Sequence, residues 1–469
     1  MKCRKVCYDW KAHVDHKTRF WAVVNADKMA EAAARGDITL FTKIINAVTE
    51  KNPECSGGKT VFYFAALNGQ LEICKVIMKH LIDKNPPSPL DNKTPLHAAT
   101  ERGHFDVCKL IVENTLNENP PDVNHNTPLH LATKRGDLNI VRCIANSIDN
   151  KNPRGPYGIT PLHIAAGEGH LGICAFLINN IDDKNPCCET GLTPLHLATA
   201  AGHYNICRAL IDKIEDTNPK DHEHKNSLLK LAALEGHLDI FRLFIENVED
   251  KNPSYKDGTT LLHQAAYEGQ KEICQIIMDY LDDKNPEAAT CRYKAFHFRP
   301  VEKCTPLHMT VVHGHLDLYK LIRENNNGKD PPLAGGLTSI HLAAMNDNFE
   351  MFRYLVDNAE DKNPKDETED ETPLHCAADG GHFEMCKYLI DNVEEKNPVN
   401  KIGNTPLHYA AKKGHFNICS YLVQRIEDRS PVNSAGHTPL KLALRNHHTD
   451  VAHLLQSFSK LKVNRRKKY

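Results

Sequence analysis

The stretch Thr193–Cys207, TPLHLATAAGHYNIC, decides how the whole chain is read. It places two histidines and a cysteine, His196, His203 and Cys207, within fifteen residues. Those residue types bind zinc and carry nucleophilic chemistry, so an isolated copy would mark a candidate active site. The copy is not isolated. Aligned on its threonine, TPLH recurs at Thr94, Thr127, Thr160, Thr305, Thr372 and Thr405. Degraded versions begin at Thr60, Ser227, Thr260, Thr338 and Thr438, and a further one at Asp27. Successive anchors lie 33 or 34 residues apart, except for a step of 45 between Thr260 and Thr305. Thirteen copies of one unit account for residues 26–459, and self-similarity at a fixed period is the signature of a repeat array.

Each copy has a physical reading. The threonine suits a helix N-cap, and the proline after it suits the first helical position, where no amide hydrogen is needed. Leu195, Leu197 and Ala198 follow at helical spacing. Nine residues after the threonine comes a glycine (Gly103, Gly136, Gly169 and Gly202 among them), which fits a left-handed helix end. Apolar Ile206, Leu210 and Ile211 mark a second helix, which Asn-Pro terminates because a residue before proline avoids helical geometry. The unit is therefore helix, tight turn, helix and extended loop.

TPLHLA with a later Gly-His on a 33-residue period resembles the ankyrin repeat, over more than nine-tenths of the chain. The resemblance implies an all-α solenoid of stacked helix-turn-helix units with loop or β-hairpin fingers projecting on one side. It also implies that the TPLH histidine belongs to a hydrogen-bond network bracing loop and first helix. One departure is the run before each finger, acidic residues followed by KNP, as in DDKNP at 182–186. Those acids, with Lys184, Lys251, Lys284, Lys362 and Lys396 interleaved, read as a solvated, salt-laced edge.

Periodicity answers the question of the active site. Packed helices lie ~8–10 Å apart, whereas zinc–nitrogen bonds are ~2.0–2.1 Å, so neighbouring copies cannot share one ion. Cys74, Cys108, Cys174, Cys207, Cys274, Cys386 and Cys419 all fall fourteen residues after their anchor, where other copies carry Val141, Phe241, Tyr319 and Phe352. That position is apolar, and the repeat spacing exceeds the ~4.4–6.8 Å between Cα atoms that a disulfide requires. No catalytic, cofactor-binding or metal-binding residue is assigned.

Composition narrows the rest. The 469 residues carry 58 basic and 60 acidic side chains, a net charge of −2, which disfavours nucleic acid as a partner. No apolar run approaches the ~18 residues of a membrane span. The opening MKCRKVCYDWKAH lacks the apolar core of a secretory signal, and the sixteen dispersed cysteines fit a reducing compartment. The cytoplasm leads, with the nucleus open. Residues 1–25 read as a leader or cap, in which Cys3, Cys7, His13 and His16 are spaced too tightly for a C₂H₂ finger. Residues 460–469, KLKVNRRKKY, read as a basic tail.

Variation is confined to the fingers. The distance from anchor to Asn-Pro, or its equivalent, is 25 residues in eleven consecutive units, and all length changes fall after it. The fingers are where partner-binding residues are expected: Tyr157, Tyr255, Lys256 and, in the long insertion 287–304, Arg292, Tyr293, Lys294, Phe296, Phe298 and Arg299. The insertion either binds or packs on its own array. The array and the missing chemistry jointly imply a non-enzymatic, monomeric scaffold or adaptor for partner proteins. The alternative is a regulatory or inhibitory subunit that masks a basic or signalling partner, in the nucleus.

Overall fold

The computed structural model describes residues 25–214, 228–255, 257–288 and 302–466, with side chains through residue 458. Two compact segments, Met1–Val248 and Glu249–Tyr469, follow the same construction rule. In the first, Pro128–Arg135 is followed by Leu138–Ala145; in the second, Pro373–Gly380 is followed by Phe383–Asn392. First helices stack on first helices and second on second within each segment. The core is the apolar set expected at each register: Leu96, Leu129, Leu162, Leu307, Leu374 and Leu407 are fully buried, as are the paired alanines behind Leu96, Leu162, Leu374 and Leu407. Each such leucine contributes about 1.5–3 kcal/mol. The periodic cysteines sit in the same layer, where burial raises the thiols of Cys74 and Cys108 to about 12. All thirteen described cysteines are free.

A helix of seven or eight residues cannot hold itself together, so its ends decide whether it forms. At the N-terminus of eight first helices, those that follow Thr94, Thr127, Thr160, Thr193, Thr260, Thr305, Thr372 and Thr405, three side chains meet. The threonine N-H and hydroxyl both donate to Nδ1 of the histidine three residues on, at 3.0–3.2 and 2.9–3.1 Å. With Nδ1 accepting, the ring is the neutral Nε2-H tautomer, and Nε2 donates forward to a carbonyl at the base of the next finger. His97 reaches Asn126, His130 reaches Ile159 and His163 reaches Leu192, all at 3.1 Å and 29 residues on. His263 reaches Cys304 at 3.1 Å, 41 residues on, so the inserted residues lie outside this joint.

The third side chain is the asparagine of Asn-Pro. Its Oδ1 accepts the backbone N-H of the residue two after the threonine, at 2.7–3.4 Å, in nine joints from Asn52–Phe62 to Asn397–Leu407. The asparagine that ends one repeat therefore caps the next. The preceding charges also differ from the expected salt-laced edge. Lys51, Lys151 and Lys184 donate to carbonyls at the ends of the second helices, Lys184 to Ile181 at 2.8 Å, where cations favour the helix dipole. The second acid closes an Asx turn onto the asparagine N-H, as in Asp183–Asn185 (3.1 Å) and Asp361–Asn363 (3.0 Å). The motif is a splice between helices, because unsatisfied helix-end amides and carbonyls are its nearest partners.

A backward tie completes the joint. Gly136 and Gly169 adopt φ of 81° and 82°, and the histidine after the next repeat's glycine lies beneath each. A Cβ on Gly136 would stand 2.6 Å from Cε1 of His170. These rings donate to carbonyls of the preceding first helix: His203 to Gly167 and His415 to Asp379, both at 3.1 Å. Where Asp347 replaces the glycine, at φ 56°, His382 turns its Nδ1 to the carboxylate at 3.0 Å.

Among the described residues the fingers contain isolated antiparallel bridges but no strand. The last helix, Thr449–Arg466, carries helical backbone into the stretch read as a tail.

Three outcomes follow from these joints. Gly136→Ala lowers stability by roughly 2–4 kcal/mol, combining left-handed backbone strain with displacement of His170. Gly236→Ala, at φ 72° with no atom within 4 Å of an added Cβ, costs about 1–2 kcal/mol. Chemical denaturation compares the two. Asn152→Ala, which strands the Leu162 amide, costs about 1–2 kcal/mol, and Asn152→Asp recovers most of it. Burial lowers the pKa of His97, His163, His263 and His375 from 6.5 to about 4. The unfolded chain then binds more protons than the folded one, so the contribution is full above pH 6.5 and lost as pH falls towards 4. The denaturation midpoint should drop between pH 7 and 5, above the ordinary carboxylate range; an unchanged midpoint contradicts neutral, buried imidazoles.

Candidate functional site

The joints consume the side chains that suggested an active site. His196 accepts from Thr193, His203 donates to Gly167, and Cys207 is buried against the Thr199 hydroxyl at 3.7 Å. Among the described residues, no three His, Cys, Asp or Glu side chains gather where they could hold a metal ion, and no helix is long and apolar enough to cross a membrane.

What remains accessible is the surface that the joints hold in place. In the first segment, five described fingers are closed at the base by a backbone hydrogen bond: Cys55 to Lys59, Ser88 to Lys93, Asp122 to Asn126, Gly155 to Ile159 and Cys188 to Leu192, at 2.8–2.9 Å. Neighbouring fingers are then stitched together. Val123 N-H donates to Asp91 and Glu189 N-H to Tyr157, both at 3.0 Å; Arg154 donates to the Cys187 carbonyl at 3.2 Å. Lys59 pairs with Asp91 across another gap. The fingers of the second segment repeat the stitch, as in Lys401 to Glu369 at 2.9 Å and Ser434 to Ile402 at 3.0 Å. Where these bonds are made, neighbouring loops are held as pairs in a ribbon of fingers.

Three successive tips of the first segment are apolar and exposed: Leu90 at 70%, Val123 at 53% and Tyr157 at 77%. Along the first helices, the residue four after the anchor is Leu131, Ile164, Leu197 and Leu231 in successive repeats, each half-buried. A rigid polar ribbon with regularly placed apolar tips, beside a half-exposed aliphatic row, can recognise an extended protein surface.

Of the residues expected from sequence, Tyr157 stands at the tip of its finger with φ 55°, its ring in solvent. Tyr255 is placed differently: its ring is half-buried and its hydroxyl enclosed, and burial raises its pKa to about 12. Lys256, Arg292, Tyr293, Lys294, Phe296, Phe298 and Arg299 lie outside the described residues, as do Cys3, Cys7, His13 and His16. The base of the long finger is visible, closed by Ala288 N-H on the Cys304 carbonyl at 2.7 Å. Leu90 and Val123 were missed by sequence reading. Their signal was present, a single aliphatic side chain inside the polar runs PSPLDNK and PPDVNHN.

Comparison with known proteins bears on the repeat itself. No curated protein matches the chain. A family model described as ankyrin repeats (three copies) matches in overlapping windows at 29–124, 77–153, 112–186, 129–221, 214–288, 288–366, 307–400, 341–430 and 392–467. These windows tile the same residues that the capped helix pairs occupy, and repeats of this kind serve generally as protein-interaction modules. The chain, an all-α solenoid of helix-turn-helix units, belongs to the ankyrin-repeat family.

Proposed function

We propose that the protein is a non-enzymatic scaffold or adaptor that binds a partner protein through the finger ribbon and first helices of residues 25–214. The observation that carries this reading is the row Leu90, Val123 and Tyr157, three exposed apolar tips; a backbone hydrogen bond joins the Leu90 and Val123 fingers, and another joins the Tyr157 finger to the one after it at Glu189. Exposing large apolar side chains costs solvation free energy in the unbound protein, and a rigid ribbon loses little conformational entropy on binding. Aromatic and aliphatic anchors ringed by polar groups are the arrangement found at interface hot spots. The inserted finger adds a second contact region, through Arg292, Tyr293, Lys294, Phe296, Phe298 and Arg299.

Affinity purification with quantitative mass spectrometry tests both regions. The triple change Leu90→Asp, Val123→Asp and Tyr157→Ala is expected to leave the melting temperature within a few degrees of wild type, since all three side chains are in solvent, and to remove the main partner. Deletion of 289–301 is expected to remove a distinct subset. Partner sets unchanged in both variants would refute the assignment.

A further inference from the structure

The second helices carry a pattern that the finger ribbon does not use. In the second segment, two tyrosines bridge adjacent repeats. Tyr388 lies edge-on to Phe349, with ring centres 6.1 Å apart at 89°, and its hydroxyl donates to Asp357. Tyr421 repeats the arrangement on Phe383 (5.8 Å, 88°), with its hydroxyl on Asp391 at 2.7 Å. The registers are identical. The phenylalanine stands eleven residues after its anchor, the aspartate nineteen after the same anchor, and the tyrosine sixteen after the next.

The same register holds Phe105, Glu113 and Cys143 in the repeats anchored at Thr94 and Thr127. The aromatic platform and the acid are kept, but the tyrosine is replaced by a cysteine. A groove of about 490 Å³ opens there, lined by Phe105, Val112, Glu113, Arg142, Cys143 and Ser147. Ser147 occupies the place of Arg425, whose guanidinium covers Tyr421 at 3.5 Å, so the outer wall is missing as well. Phe416, the fourth phenylalanine at this register, has Gln424 in the acid's position, so a phenylalanine-and-acid pair without its tyrosine occurs once; in the other aromatic-and-acid pair, Tyr204 and Asp212, the slot position of the next repeat is the aliphatic Leu243. Beyond the groove, Leu116 is 100% exposed, three residues after Glu113, and Ile82 at the equivalent place in the preceding repeat is 101% exposed.

We infer that the groove between the second helices of the Thr94 and Thr127 repeats is a vacated tyrosine slot that receives a tyrosine side chain from a partner protein. The chain itself shows how the slot is filled: ring edge on the phenylalanine, hydroxyl donating to the acid. Glu113 supplies the acceptor, and its Lys109 neighbour at 3.8 Å is an exposed pair that yields easily to a better donor. The site is independent of the finger ribbon.

Short random peptides with a fixed central tyrosine, phenylalanine or phosphotyrosine, immobilised on beads, test the slot directly. Wild-type protein should be retained by the tyrosine set about tenfold or more over the phenylalanine set, the difference being the hydrogen bond to a charged acceptor. Cys143→Tyr should fill the slot from within, abolish that retention and melt no lower than wild type. Phe105→Ala, which removes the platform without adding bulk, should also lose retention, and it serves if Cys143→Tyr does not fold. The Leu90, Val123 and Tyr157 triple variant should retain the tyrosine peptides fully, which separates this site from the ribbon. Equal retention of phenylalanine peptides, undiminished retention by Cys143→Tyr, or preference for phosphotyrosine through Lys109 and Arg142 would each overturn the inference.

Discussion

The structure depends on satisfying the first turn of a very short helix. Each first helix has seven or eight residues, too few to be stable alone, and its leading amides must find acceptors outside it. The chain supplies the threonine from the helix itself, and the asparagine from the end of the previous repeat. The histidine then uses its other nitrogen to fix the next finger. One helix start thus draws on three consecutive parts of the sequence, so no repeat is complete without the one before it. The glycine and its overlying imidazole tie in the opposite direction, which leaves neighbouring repeats joined at both ends of the first helix. Stability in such an array is a sum of local and nearest-neighbour terms, and here the neighbour term has named atoms.

The repeat, its helices and the burial of its cysteines were legible in the sequence because periodicity turns thirteen weak signals into one strong one. His97 and Cys108 look like ligands only when seen alone; their recurrence assigns them to stacking. The dual role of Asn152 was not legible, since nothing in an Asn-Pro pair says that its side chain reaches ten residues forward to Leu162. Nor was the use of Lys184, because a lysine beside aspartates suggests ion pairs, and only the placed helix end shows a nearer, stronger field. The finger ribbon was half legible. Variable composition located it, while the backbone stitches between fingers link residues more than thirty positions apart and leave no compositional trace.

Departures from the repeat are informative for the same reason. Asp330 stands where an asparagine is expected, accepts hydrogen bonds from Tyr319 and Ser339, and is paired with a serine in place of the usual proline. Lys441 replaces the histidine in the repeat anchored at Thr438, and its backbone N-H donates to the threonine hydroxyl at 3.2 Å. At Asp330 and Ser339 a substitution at a joint comes with a matching one at its partner.

The closed base of the long finger has an evolutionary consequence. The bridge from Ala288 to Cys304 and the bond from His263 to Cys304 complete every obligation of that joint before the inserted residues begin. Sequence placed between those two positions leaves both of these bonds in place, so recognition elements can be acquired there by a single in-frame insertion without a compensating change at the joint.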